Sequence, residues 1–269
     1  MLTNGLTVYG RPPTNARAIH RHVVEEYFRP DFQFRPSMTV VDVGANIGMF
    51  SLEVLQRCGG DVRLLAVEPA PEPFAYLERN IRELFPTSHV TLLPCALADR
   101  FGQATFYYRP RMPAISSLQS KTPGDSEVLI EGVLQAPPAE CRALFPRFPR
   151  TLRKAFLRIG KRWIEAQVVE TPCAVETVSR VLREHGIERV DFLKIDVEGA
   201  ELDVLRGIEQ DDWPKIRRLA AEVHDLDGRM ETIRGMLERV GFEDIEVSQE
   251  WPFEGTEIWM LHARRAAFA

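Results

Sequence analysis

Paired cysteines are missing from this chain of 269 residues, which has four cysteines in all. Cys58, Cys95, Cys141 and Cys173 lie far apart, and no two of them form the C-x-x-C spacing that is typical of zinc sites and redox-active pairs. We therefore expect reduced thiols and no structural zinc site.

Long apolar runs and an excess of positive charge are missing as well. No stretch is long and apolar enough to span a bilayer, and residues 1–10 lack the basic-then-apolar pattern of a signal peptide. Lysine and arginine number 34 against 39 acidic residues, so the net charge is -5, which disfavours general affinity for nucleic acid. These absences predict a cytoplasmic protein that neither spans a membrane nor binds nucleic acid.

Length and composition indicate one large α/β domain. The chain is 45% hydrophobic and 27% charged, as globular proteins usually are. Strand and helix patterns alternate along 1–269, which predicts a doubly wound, mostly parallel, Rossmann-like sheet with a terminal antiparallel hairpin. A helical approach over 1–38 precedes the sheet, and a proline-rich, then basic, insertion over 109–167 interrupts it. We also expect a continuous third strand over 89–97 and a helix over 175–185.

The most informative stretch is Val-Asp-Val-Gly-Ala-Asn-Ile-Gly at 41–48, which predicts a buried strand, a glycine turn and a helix start. It lacks the G-x-G-x-x-G pattern that the pyrophosphate of a dinucleotide needs. Asp42 and Asn46 suit the amino-acid end of S-adenosylmethionine better, and Gly44 and Ala45 form the turn between them. Three hypotheses remain open: a methyltransferase, a nicotinamide-dependent oxidoreductase and a non-catalytic adenosine-binding module.

An acidic residue follows the next predicted strand. Glu68, with Pro69 after it, stands where a carboxylate accepts hydrogen bonds from both hydroxyls of a ribose. Such an acid occurs with both cofactor classes, so it predicts an adenosine ligand without choosing between them. The end of the third strand, at Ala96 and Leu97, offers small and apolar side chains to an adenine ring.

A second group of ionisable residues follows two later strands. Asp196 and Glu198 end one strand, and Glu222 and His224 end the next. His224 is a good general base near neutral pH. Alternatively, Asp196, Glu222 and His224 hold a divalent ion such as Mg²⁺, or the group is a structural hydrogen-bond network with Lys194.

Two further features have alternative interpretations. The insertion between 142 and 162 interleaves basic residues with aromatic and aliphatic ones. It is either a lid or docking surface for an acidic or carrier-bound substrate, or a solvated helical hairpin. Tyr27, in a helix predicted over 16–28, either faces the cofactor or packs in the core.

Three stretches together resemble the FkbM-type methyltransferase family: 41–48, Val-Glu-Pro at 67–69, and Asp-Phe-Leu-Lys-Ile-Asp-Val-Glu-Gly-Ala-Glu at 191–201. The resemblance implies a class I methyltransferase fold and S-adenosylmethionine as cofactor. The site residues that it implies are Asp42, Gly44, Asn46 and Glu68 at the cofactor, Ala96 and Leu97 at the adenine, and Asp196 near the transferred methyl group. We therefore expect O-methylation of a natural product, polyketide or sugar-like, by His224, Asp196 and Glu198.

Overall fold

The structure, a computed structural model, describes residues 2–10, 16–110, 113–120, 149–165, 167–249 and 255–265. Within these ranges the strands are β1 (Met38–Val43), β2 (Val62–Val67), β3 (Val90–Leu93), β4 (Cys95–Leu97), β5 (Gly102–Tyr108), β6 (Val169–Glu176), β7 (Phe192–Ile195), β8 (Arg218–His224), β9 (Asp244–Ser248) and β10 (Ile258–Arg264). The α-helices are α1 (Ala16–Tyr27), α2 (Met49–Arg57), α3 (Pro71–Leu84), α4 (Arg150–Glu165), α5 (Val178–Glu184), α6 (Glu201–Arg206) and α7 (Arg229–Arg239).

The main sheet has seven strands in the order β3-β2-β1-β7-β8-β10-β9. Strands β3, β2, β1, β7 and β8 are parallel, and β10 pairs antiparallel with both β8 and β9. This confirms the predicted α/β sheet with its terminal antiparallel hairpin. Strand β1 lies between β2 and β7, so the order of the strands reverses beside it. In such sheets a ligand binds at the carboxyl ends of the strands, where the order reverses.

Two expected elements are wrong in their bounds. The strand expected over 89–97 is broken at Pro94, which has no N–H to donate to a ladder. Its second part, β4, joins a separate three-stranded sheet of order β4-β6-β5. The helix expected from Val175 begins at Val178, because Val175 pairs with Ala96 in that sheet. Thr177 caps the helix by accepting a hydrogen bond from the backbone N–H of Arg180 at 3.2 Å.

Each face of the main sheet is covered by helices. One face packs an aromatic cluster under α1 and α2, in which the ring of Phe50 lies 5.3 Å from Phe28 and 5.9 Å from Phe192. The opposite face packs against α5, α6 and α7 through residues such as Leu193 and Val223. Side chains alternate along a strand, so Lys194 points to the aromatic face, as Phe192 does.

The insertion is described in part. Helix α4 covers its last third, and Leu152, Phe156 and Ile159 are exposed on it. Residues 121–148, which include part of the basic stretch expected to form a lid, lie outside the described residues. None of the described helices combines the length and the apolarity needed to cross a membrane.

The glycine turn after β1 brings the carboxyl ends of β1 and β7 into contact. Gly44 has a φ of 79°, and a Cβ built on it would lie 1.8 Å from the carbonyl oxygen of Asp196. The backbone N–H groups of Gly44 and Ala45 both donate to the carbonyl of Val67 in β2, at 3.0 and 2.9 Å. Only glycine fits this position, because it has no Cβ and tolerates a positive φ.

Replacing Gly44 by alanine should therefore lower the free energy of unfolding by about 2–5 kcal/mol, through the clash and the left-handed backbone together. Gly59→Ala is the matched control, since Gly59 has a φ of 61° and open space where the Cβ would be. It should cost about 1–2 kcal/mol. Urea denaturation measures both, and equal losses would show that the turn does not depend on contact with Asp196.

Candidate active site

A hydrogen bond joins the turn after β1 to Glu68, the acid that follows β2. Glu68 is buried, and its carboxylate accepts hydrogen bonds from the backbone N–H groups of Asn46 and Ala70, both at 2.8 Å. Burial raises the pKa of Glu68 to about 7, although the two N–H groups act to lower it. Each carboxylate oxygen still has a lone pair for a ligand hydroxyl. The Glu68 carboxylate thus lies against the glycine turn, with Pro69 leading into α3.

The region expected to hold adenine has one side chain facing it and one turned away. Ala96 belongs to an apolar cluster with Ala70 and Phe106, next to Glu68. Leu97 belongs instead to the core beneath the main sheet, in the same cluster as Leu182. Strand alternation explains this difference, and it leaves Leu97 only its backbone to offer at the predicted adenine site.

Lys194 ties the ends of β1 and β7 together. Its ammonium lies 3.0 Å from Asp42 and 3.4 Å from Asp196, and it donates to the carbonyl oxygen of Gly44 at 2.8 Å. Burial lowers the pKa of Lys194, but the two carboxylates more than offset this and leave it raised. The other oxygen of Asp42 accepts from the hydroxyl of Ser51 at 2.7 Å.

This network divides the roles that the sequence gave to Asp42 and Asp196. The side chain of Asp42 is 0% exposed, whereas that of Asp196 is 28% exposed. Asp42 therefore holds the turn through Lys194, and its predicted contact with a cofactor stays a prediction. Asp196 is the member of the pair that a ligand at the sheet edge can reach.

His224 is enclosed by two carboxylates. It is 1% exposed, with Nε2 3.4 Å from Glu198 and Nδ1 3.3 Å from Glu201. Burial lowers the pKa of His224, but the hydrogen bonds to Glu198 and Glu201 outweigh it and raise the pKa to about 11. An imidazolium donates through both nitrogens and has no lone pair with which to accept a proton. The environment of His224 therefore disfavours the general-base role expected from the sequence.

Three residues that sequence reasoning missed hold the turn between β7 and α6. Glu198 and Gly199 have φ angles of 55° and 98°. The carbonyl of Gly199 accepts from Gln119 and, at 2.6 Å, from Arg229, which also lies 3.4 Å from Glu201. The acidic run at 196–201 could have pointed to Glu201, but nothing local marks Gln119 or Arg229, which are distant in the sequence.

Glu222 has a longer contact with a cationic group than the neighbouring acids Asp196, Glu198 and Glu201. Its side chain is 14% exposed, and among the described residues its one ionic contact is with Nε2 of His22 in α1, at 4.0 Å. Burial, and then the charges of Asp196 and Glu198, raise its pKa well above the usual value. One oxygen from each of these three carboxylates lies within 4.8 Å of the other two. These three acids could together hold a cation, whereas the set predicted from the sequence has His224, whose two nitrogens face Glu198 and Glu201, in place of Glu198.

The sequence of this chain is similar to those of known methyltransferases. Residues 42–243 match the family model described as the methyltransferase FkbM domain. The 31-O-demethyl-FK506 methyltransferase FkbM of Streptomyces tacrolimicus is 34% identical over 99% of this chain and 96% of that protein. Methyltransferase sdnD of Sordaria araneosa is 30% identical over 97% of this chain and 94% of that protein.

A solved structure shares the fold. The crystal structure of a methyltransferase FkbM from Methylobacillus flagellatus KT superposes with a TM-score of 0.56 at 15% identity, over 90% of this chain and 47% of that one. The sequence matches span nearly the whole chain, and the glycine turn, Glu68 and Asp196 lie at one sheet edge. The chain belongs to the FkbM methyltransferase family and is an S-adenosylmethionine-dependent methyltransferase.

Proposed function

We propose that this enzyme transfers a methyl group to a hydroxyl of a natural product, a polyketide or a sugar-like molecule, either free or carrier-bound. The observation that carries the proposal is Glu222, a mostly buried carboxyl beside Asp196 for which the described part of the chain supplies no close lysine or arginine. A weakly acidic hydroxyl needs such a proton acceptor, whereas an amine with a free lone pair does not. The relative that is named for O-demethyl-FK506 supports a hydroxyl acceptor.

The residues at the sheet edge fit S-adenosylmethionine. When it is bound, S-adenosylmethionine supplies a methyl group on a positively charged sulfur. Glu68 would accept hydrogen bonds from the two ribose hydroxyls, and the turn at Gly44, Ala45 and Asn46 leaves room for the amino-acid end. Asp196, exposed where β1 and β7 meet, would lie beside the sulfur. Gly44 lets the turn pack against the backbone of Asp196, because a Cβ there would lie 1.8 Å from the Asp196 carbonyl oxygen.

Glu222 would accept the proton that the hydroxyl loses. S-adenosylmethionine would supply the methyl group to the acceptor oxygen and leave as S-adenosylhomocysteine, and the hydroxyl proton would pass to the Glu222 carboxylate. A cation bound nearby lowers the pKa of a carboxyl, so the charge of the cofactor would favour the ionised form that this step requires. His224 would keep Glu198 in place as a fixed imidazolium.

A bound Mg²⁺ is a second candidate for activating the hydroxyl. The carboxylates of Asp196, Glu198 and Glu222 offer the oxygen ligands that Mg²⁺ prefers. A metal there would lower the pKa of a coordinated hydroxyl and make a protein base unnecessary.

Calorimetric titration with S-adenosylhomocysteine and, separately, with NADH tests the cofactor assignment. We expect micromolar binding of the first and none of the second, since the turn at 41–48 lacks the glycine pattern that a pyrophosphate needs. Turnover on a panel of hydroxylated polyketides and sugars, free and carrier-bound, is measured with Mg²⁺ and with EDTA. Binding of NADH alone would refute the proposal, and equal turnover in EDTA would exclude the metal.

The affinity for S-adenosylhomocysteine should rise with pH until about pH 7 and then level off. Glu68 accepts two ribose hydroxyls only when it is ionised, and its pKa in the free protein is about 7. Below that pH, binding must first remove a proton, so Kd should weaken roughly tenfold per pH unit.

Glu68→Gln should bind more weakly than the wild type above pH 7 and lose this dependence on pH. Glu78→Gln, which changes an exposed carboxylate on α3, is the matched control and should keep it. Calorimetry between pH 5.5 and 8 measures both variants. A wild-type affinity that does not change with pH would contradict the role of Glu68.

Glu222→Gln should lower turnover by about 10²–10⁴-fold, because an amide cannot accept the proton. In the wild type, turnover should be lost as pH falls through the Glu222 pKa, since only the ionised carboxylate accepts a proton. Binding of S-adenosylhomocysteine should change little. Initial rates across pH measure the effect.

His224→Gln separates the two candidate bases. It removes the cation between Glu198 and Glu201, so its main effect should be a loss of about 3–5 kcal/mol in the free energy of unfolding. Glu238→Gln, which changes an exposed carboxylate, should change neither turnover nor the free energy of unfolding. A folded His224→Gln protein without turnover, beside an active Glu222→Gln protein, would reverse the assignment.

A further inference from the structure

Tyr27 is the last residue of α1, in a part of the chain that precedes the family match at 42–243. Its side chain is 3% exposed. Its ring meets Phe50 edge-on with centroids 5.6 Å apart, and the ammonium of Lys194 lies 5.7 Å from the ring centroid. Helix α1 thereby places an aromatic ring against the ion-pair network that joins β1 and β7.

The hydroxyl of Tyr27 has no hydrogen-bond partner among the residues that the structure describes. Buried hydroxyls are nearly always hydrogen-bonded, because burial removes the water that would otherwise satisfy them. A phenylalanine would pack the same ring against Phe50 without this cost. The unpartnered hydroxyl therefore points to a ligand that is bound during function.

The charges around this hydroxyl indicate what kind of ligand it is. Burial raises the pKa of Tyr27 well above its usual value, and the carboxylates of Asp196, Glu222, Asp42 and Glu26 raise it further. The hydroxyl thus stays neutral in a field of negative charge. Lys194 is already shared by Asp42, Asp196 and the carbonyl oxygen of Gly44. A second positive charge, brought by a ligand, would be favoured here.

We propose that the hydroxyl oxygen of Tyr27 contacts the positively charged methylsulfonium group of S-adenosylmethionine. The inference rests on the proposed function, which places methyl transfer between Asp196 and Glu222, the two acids that act most strongly on Tyr27. A methyl group on a cationic sulfur carries polarised C–H bonds, which donate weak hydrogen bonds to oxygen. S-adenosylhomocysteine has neither that methyl nor that charge. Tyr27 would therefore favour the donor over the product and hold the methyl toward the acceptor.

Comparing the affinities for donor and product tests this contact without any acceptor. Tyr27→Phe keeps the ring and removes only the oxygen. It should weaken binding of S-adenosylmethionine by about three- to fivefold and leave binding of S-adenosylhomocysteine unchanged. Calorimetry on the full-length protein measures both affinities.

Tyr108→Phe is the matched control, because the hydroxyl of Tyr108 donates to Glu72 at 2.6 Å. It should lower the Tm of the ligand-free protein and leave the donor-to-product affinity ratio unchanged. Tyr27→Phe should leave that Tm unchanged or raise it, since it removes an unsatisfied group. The two variants thereby separate a ligand-binding hydroxyl from a structural one.

Two results for Tyr27→Phe would overturn the inference alone. Equal weakening of donor and product would place the hydroxyl at the part of the cofactor that both share, and no change in either would make Tyr27 a core aromatic. Failure of the wild-type protein to bind either compound would overturn the proposed function itself, and the inference with it.

Discussion

The buried ion pair between Lys194 and Asp42 is the interaction on which the site depends. It crosses from β7 to β1, 152 positions apart in the chain, at the edge where the strand order reverses. Lys194 also donates to the carbonyl oxygen of Gly44, so the same ammonium fixes the glycine turn. That turn can touch Asp196 only because Gly44 has no Cβ. Removing one partner would leave an uncompensated charge in the core, which is far more costly than losing a surface pair.

The carboxylates near this end of the sheet differ in whether a cationic side chain lies close to them. Glu198 and Glu201 face a buried imidazolium, which neutralises charge and fixes the turn before α6. Among the residues that the structure describes, the one ionic contact of Glu222 is at 4.0 Å to His22, whose side chain is 34% exposed. Because the low-dielectric interior magnifies both attraction and repulsion, neighbouring acids acquire different properties. For this reason His224 holds Glu198 and Glu201 in place, whereas Glu222 is the proposed proton acceptor.

Helix α1 lies in the part of the chain that precedes the family match and packs against the matched part. It packs beside α2 on the aromatic face and brings Tyr27 to Lys194 and His22 to Glu222. The carboxyl ends of the strands carry the glycine turn, Glu68 and the acids to which we assign roles in the proposed function. Helix α1 covers part of this region.

Local patterns in the sequence were enough to predict the sheet, the glycine turn and the positions of Glu68, Asp196 and Glu222 at the ends of strands. Each depends on residues adjacent in the chain, such as β-branched runs and positive-φ glycines. The break at Pro94 was missed, because a change of sheet partner leaves only a weak local mark. The tertiary structure alone decided three features. It buries Asp42, it surrounds His224 with carboxylates that raise its pKa, and among the described residues it gives the Tyr27 hydroxyl no hydrogen-bond partner. Charge state and access depend on distances between residues remote in sequence and on the exclusion of water, which only the folded chain defines.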